Sequence, residues 1–329
     1  MLTTISFGEV LIDMLSNKVG GNSDVEQETF TKYAGGAPAN VAVAVAKLGG
    51  DSRMAGKIGE DMFGDFLRDA LNEAGVNTDY LLATREANTA LAFVSLDDTG
   101  ERSFTFYRNP SADMLFRADE FKADWFAEPG LFHFCSNTLT AEDIANTTAA
   151  GAQMAADAGW LVSFDVNLRH NLWASGSADA ELVWKLAADA HLVKMSIEEM
   201  DYLRGDATEE QAIAQLFEGS ARLLLITDGG NPLRYFFKTA SGLQKGQITP
   251  PAVKMVDSTA AGDAFVGGLM VQLAQQEITA ERLIDFCSDA EKLEQALQYA
   301  ARCGGYAAAH YGAFVALPTR EQLETFHSA

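Results

Sequence analysis

Positive charge is scarce in this chain. Its 329 residues include 24 Lys and Arg against 46 Asp and Glu, a formal net charge of −22 at pH 7. Such a chain repels nucleic acids and anionic membrane surfaces, so neither is expected as a partner. No apolar run of about 18 residues occurs, and no basic segment followed by a long apolar stretch opens the chain. We therefore expect a cytoplasmic protein.

Cysteine is also rare, and several well-known motifs are missing. Cys135, Cys287 and Cys303 are far apart and lack the paired Cys/His spacing of a zinc site, which predicts reduced core thiols. There is no Gly-x-x-x-x-Gly-Lys-Ser/Thr loop, because Asp51 occupies its first glycine position before Gly56-Lys57. No Gly-x-Gly-x-x-Gly follows the first predicted strand and no Gly-x-Ser-x-Gly is present, which disfavours nicotinamide dehydrogenases and α/β-hydrolases.

Short apolar runs alternate with helical patterns along the chain. The runs predict strands over residues 5–12, 131–135, 161–166, 191–195 and 223–227, and the helical patterns cover residues 41–48, 63–74, 144–158 and 263–275. A strand is also predicted to lead into the small-residue run at 257–262. This order is typical of an α/β fold: a doubly wound, mostly parallel sheet with helices on both faces.

Two stretches interrupt the alternation, about 13–33 and 89–108. In the second, two alternating runs flank residues 97–100 (DDTG), as in a β-hairpin. We interpret both as a small appended sheet that forms a lid over the carboxyl ends of the main strands, where ligands bind in such folds. Residues 1–329 are expected to form one domain with this lid.

The segment 257–265 (DSTAAGDAF) carries the strongest local signal for chemistry. Small residues expose backbone N–H groups to an anion, and the start of a helix adds partial positive charge. A carboxylate in the first turn, Asp263, could accept the proton of an attacking alcohol beside such a phosphate site. The alternative is an ordinary helix-capping aspartate.

Three other segments place polar groups near predicted strand ends or turns. Residues 35–40 (GGAPAN) combine a flexible glycine pair with Asn40, which can contact a hydroxylated substrate or merely cap a turn. Residues 165–169 (DVNLR) end a strand, and Arg169 meets phosphate or substrate, or is an ordinary surface arginine. Glu198 and Glu199 follow another strand and could hold Mg²⁺ through water, or simply favour a helix start.

In this order, the segments resemble the ribokinase-like carbohydrate kinases, most closely the bacterial fructokinases. The resemblance spans nearly the whole chain. It rests on residues 8–13 (GEVLID), 35–42 (GGAPANVA), 57–64 (KIGEDMFG), 100–108 (GERSFTFYR), 165–169 (DVNLR), 257–265 (DSTAAGDAF) and 312–318 (GAFVALP).

The resemblance implies a role for each matching residue. Asp263 is the general base, and Ala260, Ala261 and Gly262 form the anion hole for the γ-phosphate. On the sugar, Phe104 and Phe106 cover it from the lid and Arg108 lies at its rim; the full set of contacts is Asp13, Gly35, Gly36, Asn40, Phe104, Phe106, Arg108 and Arg169. The positions that serve ATP and Mg²⁺ are Asn167, Lys194, Glu199, Thr227, Gly229 and Gly262.

The resemblance also implies a monovalent cation, K⁺, beside the anion hole. The matching positions, mostly through backbone carbonyls, are Asp257, Thr259, Ala307, Gly312 and Ala316. Three positions depart from the family pattern. Ala260 stands where fructokinases usually have glycine. Pro232 stands in the nucleotide loop where the family often has a second glycine, which bears on the backbone path near ATP. An acidic insertion at 286–294 is expected to lengthen a surface loop; the alternative is that it alters access for adenine.

The expected activity is ATP-dependent phosphorylation of D-fructose at its 6-hydroxyl. Other sugars of the same class stay open: 2-keto-3-deoxygluconate, aminoimidazole riboside, ribose or another ketohexose. A non-catalytic sugar sensor is the alternative from a different class, although a pure binder does not need Asp263. Apolar residues on the lid strands need cover, and the resemblance adds that such lids often pair, so we expect a homodimer through the lid.

Overall fold

The computed structural model describes residues 1–20, 27–96, 102–108 and 110–326, in which strands and helices alternate. The strands are β1 (Thr3–Phe7), β2 (Leu11–Val19), β3 (Phe30–Gly35), β4 (Asp51–Gly59), β5 (Leu81–Thr84), β6 (Leu91–Leu96), β7 (Arg102–Tyr107), β8 (Gly130–Cys135), β9 (Leu161–Asp165), β10 (Leu192–Ser196), β11 (Leu223–Thr227), β12 (Leu233–Thr239) and β13 (Gly242–Ile248). The helices are α1 (Ala37–Lys47), α2 (Met62–Glu73), α3 (Glu142–Asp157), α4 (Ala180–Asp189), α5 (Ile197–Arg204), α6 (Glu209–Leu216), α7 (Ala261–Gln275), α8 (Leu283–Ser288), α9 (Ala290–Ala308) and α10 (Arg320–Thr325).

Nine strands form the main sheet, in the order β13-β12-β11-β10-β9-β8-β1-β4-β5. Those from β11 to β5 are parallel, whereas β12 and β13 form an antiparallel edge. The central strands are apolar because both faces of the sheet are buried. One face packs on α1, α7 and α9, and the other on α3, α4, α5 and α6. The predicted doubly wound, mostly parallel α/β architecture is confirmed.

A second sheet has four strands in the order β3-β2-β6-β7. Its register pairs Asp13 with Ala92 and Ala92 with Phe106, which puts these three residues on one face because side chains across a ladder share a side. That face lies over the carboxyl ends of the main strands, since Asp13 and Phe106 line the same cavity as Asp263. The smaller sheet therefore covers the edge where ligands bind in open α/β folds.

The prediction of a single strand over residues 5–12 is wrong. The chain forms β1, leaves the main sheet at Gly8, and begins β2 of the smaller sheet at Leu11. Gly8 has a φ of 146°. A Cβ there would lie 2.6 Å from Cγ of Pro38, so only glycine fits this exit. Apolar residues occur on both sides of Gly8, so the sequence pattern does not show where β1 ends and β2 begins. Asp13 therefore lies inside β2 and does not end the first strand.

Two other expectations are corrected near the carboxyl half. No strand leads into the segment 257–262 within the part of the chain described, because β13 ends at Ile248 and Pro250-Pro251 cannot donate to a ladder. Instead, Val256 N–H donates to the carbonyl of Ala308 (2.8 Å). The segment 286–294 is not a lengthened loop either, because α8 and α9 meet there and the Asp289 side chain caps α9.

The hairpin turn expected at residues 97–100 lies outside the described residues, but β6 and β7 pair antiparallel as that turn requires. Cys135, Cys287 and Cys303 are buried free thiols. No helix in the described ranges is long and apolar enough to cross a membrane.

Candidate active site

The candidate site begins at the start of α7. Ala260 precedes the helix in the left-handed conformation (φ 58°, ψ 8°), which ordinarily suits glycine. This turn lets Ala261 N–H donate to the carbonyl of Ser258 at 3.2 Å. The first turn of a helix leaves further N–H groups without intrahelical partners, here those of Gly262 and Asp263. The segment thus presents backbone N–H groups at the start of a helix dipole, an arrangement that can bind an anion.

Asp263 is buried in the first turn of α7 and is held from two sides. Asn40 Nδ2 donates to its Oδ2 at 2.7 Å, and Asn167 Nδ2 donates to its Oδ1 at 3.4 Å. Burial raises the pKa of Asp263 to about 7; the nearby charge of Asp165 adds to the rise, while the Asn40 hydrogen bond and Lys194 oppose it. A carboxyl with a pKa near neutrality suits a general base at physiological pH.

A cavity of about 770 Å³ opens in front of Asp263, beneath the smaller sheet. It brings together the predicted sugar contacts Asp13, Gly36, Asn40, Phe104, Phe106 and Arg169. Gly35 lies against Asp13, because a Cβ on it would come within 2.4 Å of the Asp13 carboxylate. The Phe104 and Phe106 rings stack 6.0 Å apart, and Asn171 Nδ2 donates to the Phe104 carbonyl at 3.1 Å. The cavity thus has an aromatic wall on the lid side and amide and carboxylate groups opposite.

A second cavity, of about 490 Å³, lies on the other side of the α7 start. Its lining includes the predicted nucleotide-side residues Lys194, Thr227, Gly229 and Gly262. Met255 and Ser258 line both cavities, so the two spaces adjoin at the anion site. Two molecules bound in these cavities would meet beside Asp263.

Lys194 places positive charge at this junction. A Cβ on Gly262 would lie 3.2 Å from Lys194 Nζ, and the same ammonium forms an ion pair with Asp165 at 3.0 Å. Burial opposes the charged form, but Asp165 and Glu199 outweigh it and raise the pKa of Lys194. The ammonium is therefore charged at neutral pH and lies against the anion site.

Glu199 is already engaged in two backbone hydrogen bonds. Its Oε1 accepts from Leu168 N–H and its Oε2 from Ser196 N–H, both at 2.7 Å. Burial raises the pKa of Glu199, with Lys194 opposing the rise. The carboxylate joins the start of α5 to the strand end that carries Asn167 and Arg169. Any contact with Mg²⁺ would have to use its remaining lone pairs.

Among the residues predicted for a monovalent cation, Asp257 joins two segments. Its Oδ1 accepts from Thr259 N–H (3.0 Å) and Thr259 Oγ1 (2.7 Å), and its Oδ2 accepts from Gly312 N–H (3.0 Å). The carbonyl of Ala307 accepts from His310 N–H, and Ala316 is buried in a short 3₁₀ helix after Gly312. The structure thus joins Asp257, Thr259 and Gly312 directly and leaves Ala307 and Ala316 in neighbouring elements.

Arg108 does not line the cavity in front of Asp263, at whose rim the resemblance places it. Arg108 follows β7 and is buried, with its Nε donating to Asp113 Oδ2 at 2.6 Å and its Nη1 to the Asn137 carbonyl at 2.9 Å. A charged side chain at this depth needs such partners, and Asp113 provides the opposite charge. The guanidinium belongs to the support of the site.

The sequence analysis missed some polar lining residues, among them Glu9 and Asn137. Glu9 and Asn137 line the cavity in front of Asp263 and are joined by a 2.8 Å hydrogen bond from Asn137 Nδ2 to Glu9 Oε1. Both follow the carboxyl ends of parallel strands, β1 and β8, which are adjacent in the sheet. Polarity at strand ends is the signal that could have found them.

Comparison with known proteins defines the class to which this fold and site belong. The family model for pfkB family carbohydrate kinases matches residues 1–320. The chain belongs to this family, which confirms the predicted resemblance to ribokinase-like kinases and makes it a phosphotransferase.

Within the family, several of the similar proteins are fructokinases. The chain is 41% identical over 316 residues to probable fructokinase-5 of Arabidopsis thaliana, covering 96% of this chain and 94% of the relative. A fructokinase of Xylella fastidiosa, solved with bound ATP, is 46% identical with a TM-score of 0.91, covering 98% of this chain and 97% of that chain. A fructokinase of Vibrio cholerae O395, solved with fructose, ADP and calcium, is 31% identical with a TM-score of 0.84, covering 99% of each.

Proposed function

We propose that this chain transfers the γ-phosphate of ATP to the 6-hydroxyl of D-fructose, with Asp263 as the general base. The observation that carries the proposal is the position of Asp263: a buried carboxyl with a pKa of about 7, placed where two cavities adjoin at a helix N-terminus. The fructokinases described above supply the choice of sugar and of nucleotide.

In the proposed reaction, fructose occupies the cavity in front of Asp263 and ATP the cavity lined by Gly262. Ionised Asp263 accepts the proton of the 6-hydroxyl as that oxygen bonds to the γ-phosphorus. The bond from this phosphorus to the β–γ bridging oxygen breaks, and ADP leaves. The backbone at Ala260, Ala261 and Gly262, together with charged Lys194, stabilises negative charge on the transferring phosphoryl group.

The sugar contacts that we propose are Asp13, Gly35, Gly36, Asn40 and Arg169, with Phe104 and Phe106 covering the sugar. Asn40 suits a double task, since its Nδ2 donates to Asp263 while its buried Oδ1 has no donor among the described residues. A sugar hydroxyl can supply that donor. On the nucleotide side we propose Asn167, Thr227, Gly229 and Gly262 as phosphate and ribose contacts.

We propose that Mg²⁺ and K⁺ assist. In the described ranges, no group of three or more His, Cys, Asp or Glu side chains could hold a metal ion by itself. This fits Mg²⁺ held by the ATP phosphates and by water molecules, with Glu199 in contact with one of those waters. The cation would neutralise phosphate charge. For K⁺ the proposed frame is Asp257, Thr259 and Gly312, with Ala307 and Ala316 in neighbouring elements.

We further propose a single domain over residues 1–329, with a lid from about 13–33 and 89–108, and a cytoplasmic homodimer paired through that lid. The outer face of the lid supports pairing: Phe93 lies 5.3 Å from the Phe30 ring and 5.2 Å from the Tyr107 ring, and Tyr107 is 64% exposed. An exposed aromatic cluster of this kind is typical of a surface that is buried against a partner. A monomer mass by light scattering at micromolar concentration would contradict the dimer.

The test is ADP release in a coupled assay over a panel of sugars: fructose, ribose, 2-keto-3-deoxygluconate and aminoimidazole riboside. We expect the highest kcat/KM with fructose and a product phosphorylated at the 6-position by NMR. A higher kcat/KM with another sugar of the panel would transfer the proposal to that sugar. Sugar binding without ADP release at any Mg²⁺ or K⁺ concentration would favour the sensor.

A further inference from the structure

Glu9 lies at the point where the chain passes from the main sheet to the lid. It belongs to the three residues between β1 and β2, and only 1% of it is exposed although it lines the sugar-side cavity. A buried carboxylate is costly unless it serves several partners. None of the catalytic steps described above uses it.

The carboxylate contacts the wall of the sugar cavity. Glu9 Oε1 accepts from Ala37 N–H at 3.2 Å, and Ala37 begins α1 directly after the Gly35-Gly36 pair. The main chain of Glu9 is equally close to this wall, since a Cβ on Gly36 would lie 2.5 Å from the Glu9 carbonyl oxygen. Glu9 therefore fixes where the glycine pair and the first turn of α1 lie.

The same carboxylate is linked to the end of the lid strand β7 through Asn137. Glu9 Oε1 also accepts from the Asn137 side chain at 2.8 Å, and the Asn137 carbonyl accepts from Arg108 Nη1 at 2.9 Å. Arg108 is the first residue after β7. Its charge acts on Glu9 as well: burial raises the pKa of Glu9, and Arg108 opposes the rise.

We propose that Glu9 is a positioning residue that couples the root of the lid to the sugar-binding wall and thereby sets the affinity for the sugar. Arg108, the residue expected to touch the sugar, acts on the cavity through Asn137 and Glu9. The inference rests on the proposed sugar phosphorylation, and it assigns to this cluster the binding of sugar, not the transfer of phosphate.

The experiment compares the wild type with Glu9→Gln, Arg108→Lys and the double variant by steady-state kinetics. Gln keeps one acceptor oxygen but loses the charge, and Lys keeps the charge but cannot span Asp113 and the Asn137 carbonyl as the planar guanidinium does. We expect Glu9→Gln to raise the KM for sugar about tenfold, as loss of a charge-assisted contact implies. We expect kcat to fall by less than about threefold, because the 2.7 Å hydrogen bond from Asn40 still holds Asp263. The KM for ATP should stay unchanged, because Glu9 does not line the second cavity.

The double variant measures the coupling. If Glu9 and Arg108 act on one element, the effect of both changes on the sugar KM is smaller than the product of the two single effects. Should Glu9→Gln fold poorly, Arg108→Lys alone decides: it must raise the sugar KM with kcat retained.

Glu120→Gln is the matched control. Glu120 is a carboxylate that forms an ion pair with the buried Lys57 Nζ at 2.6 Å, and it does not line the sugar cavity. It should lower Tm without changing the sugar KM, which separates loss of stability from loss of positioning.

The outcomes distinguish this inference from the proposed function. A wild type active on fructose with an unchanged sugar KM in folded Glu9→Gln overturns the role of Glu9 alone. A wild type that prefers another sugar of the panel overturns the choice of fructose, and the Glu9 comparison is then made with that sugar. A wild type that turns over no sugar of the panel overturns both.

Discussion

Asn40 donates a hydrogen bond of 2.7 Å from Nδ2 to Oδ2 of Asp263, although 223 positions separate them in the chain. The contact requires α1 and α7 to pack closely, and Gly267 makes this approach feasible: a Cβ there would lie 2.4 Å from Cβ of Ala44. Asp263 is therefore held by α1, whose first turn also lines the cavity in front of Asp263.

Replacing Asn40 by Ala should move the pH dependence of catalysis. The Asn40 hydrogen bond lowers the pKa of Asp263, so its loss raises that pKa above about 7. Because the base must be ionised, activity is present above its pKa and falls as the pH decreases through it. The acidic limb of kcat/KM should therefore shift to higher pH. An unchanged limb, measured on both sides of pH 7, would contradict the assignment; Asn167→Ala, which removes only a 3.4 Å contact, should shift it less.

Replacing Asp263 by Asn should stabilise the protein at alkaline pH. The pKa of Asp263 in the folded protein, about 7, exceeds its usual value of 3.8. The protonated carboxyl therefore contributes stability that is fully present below pH 3.8 and is lost as the pH rises through 7. This difference in pKa corresponds to a loss in the free energy of unfolding with an upper limit on the order of 4 kcal/mol. Thermal unfolding should show a higher Tm for the variant at pH 8, with the gap closing towards pH 4. A variant less stable than wild type at both pH values would count against the raised pKa.

Replacing Ala260 by Gly should stabilise the fold and preserve activity. Ala260 has a φ of 58°, where a Cβ costs roughly 1 kcal/mol that glycine avoids, less the entropy that glycine loses on folding. The N–H group of the anion site is retained, so kcat should stay within about twofold. Chemical denaturation measures the change in the free energy of unfolding for Ala260→Gly and for the control Ala261→Gly. The control lies in the helix and should destabilise the protein by about 0.5–1 kcal/mol. Equal destabilisation by the two changes would refute strain at Ala260.

Adding a methyl group at Gly267 should impair catalysis as well as stability. Its Cβ would meet Ala44 of α1 at 2.4 Å and push apart the helices that carry Asn40 and Asp263. Gly268→Ala is the matched control, because its Cβ would meet Cys303 Sγ of α9 at 2.7 Å, away from Asn40. Both should cost about 1–3 kcal/mol by overpacking. Only Gly267→Ala should lower kcat and move the acidic limb of the pH profile of kcat/KM. Equal kinetics in the two variants would disprove the link between α1–α7 packing and the state of Asp263.

The sequence predicted what depends on local pattern. Buried parallel strands such as β9 and β11 read as short apolar runs, and the small-residue segment before Asp263 marked the anion site. The point at Gly8 where the chain leaves the main sheet was missed because apolar residues continue into β2. The strand expected before Asp257 was wrong because Met255 and Val256 are exposed, and Val256 N–H donates to the Ala308 carbonyl in place of a neighbouring strand.

The neighbours of Asp263 and the place of Arg108 lay beyond sequence reasoning for a different reason. A motif singles out Asp263, but the pKa of its carboxyl depends on burial and on Asn40, which lies in a helix distant in sequence. Arg108 follows a lid strand and was expected at the sugar, yet its charge is satisfied by Asp113 and the Asn137 carbonyl beneath the cavity. Partners far apart in sequence are set by the tertiary fold.

The central claim is that Asp263 accepts the proton of a fructose hydroxyl during transfer from ATP. The most direct measurement is the rate of ADP release with saturating fructose and Mg·ATP for the wild type and for Asp263→Ala, with fructose binding measured on both by calorimetry. We predict that the variant binds fructose with similar affinity while kcat falls by a factor of about 10²–10⁴. A variant with near-wild-type kcat would contradict the account.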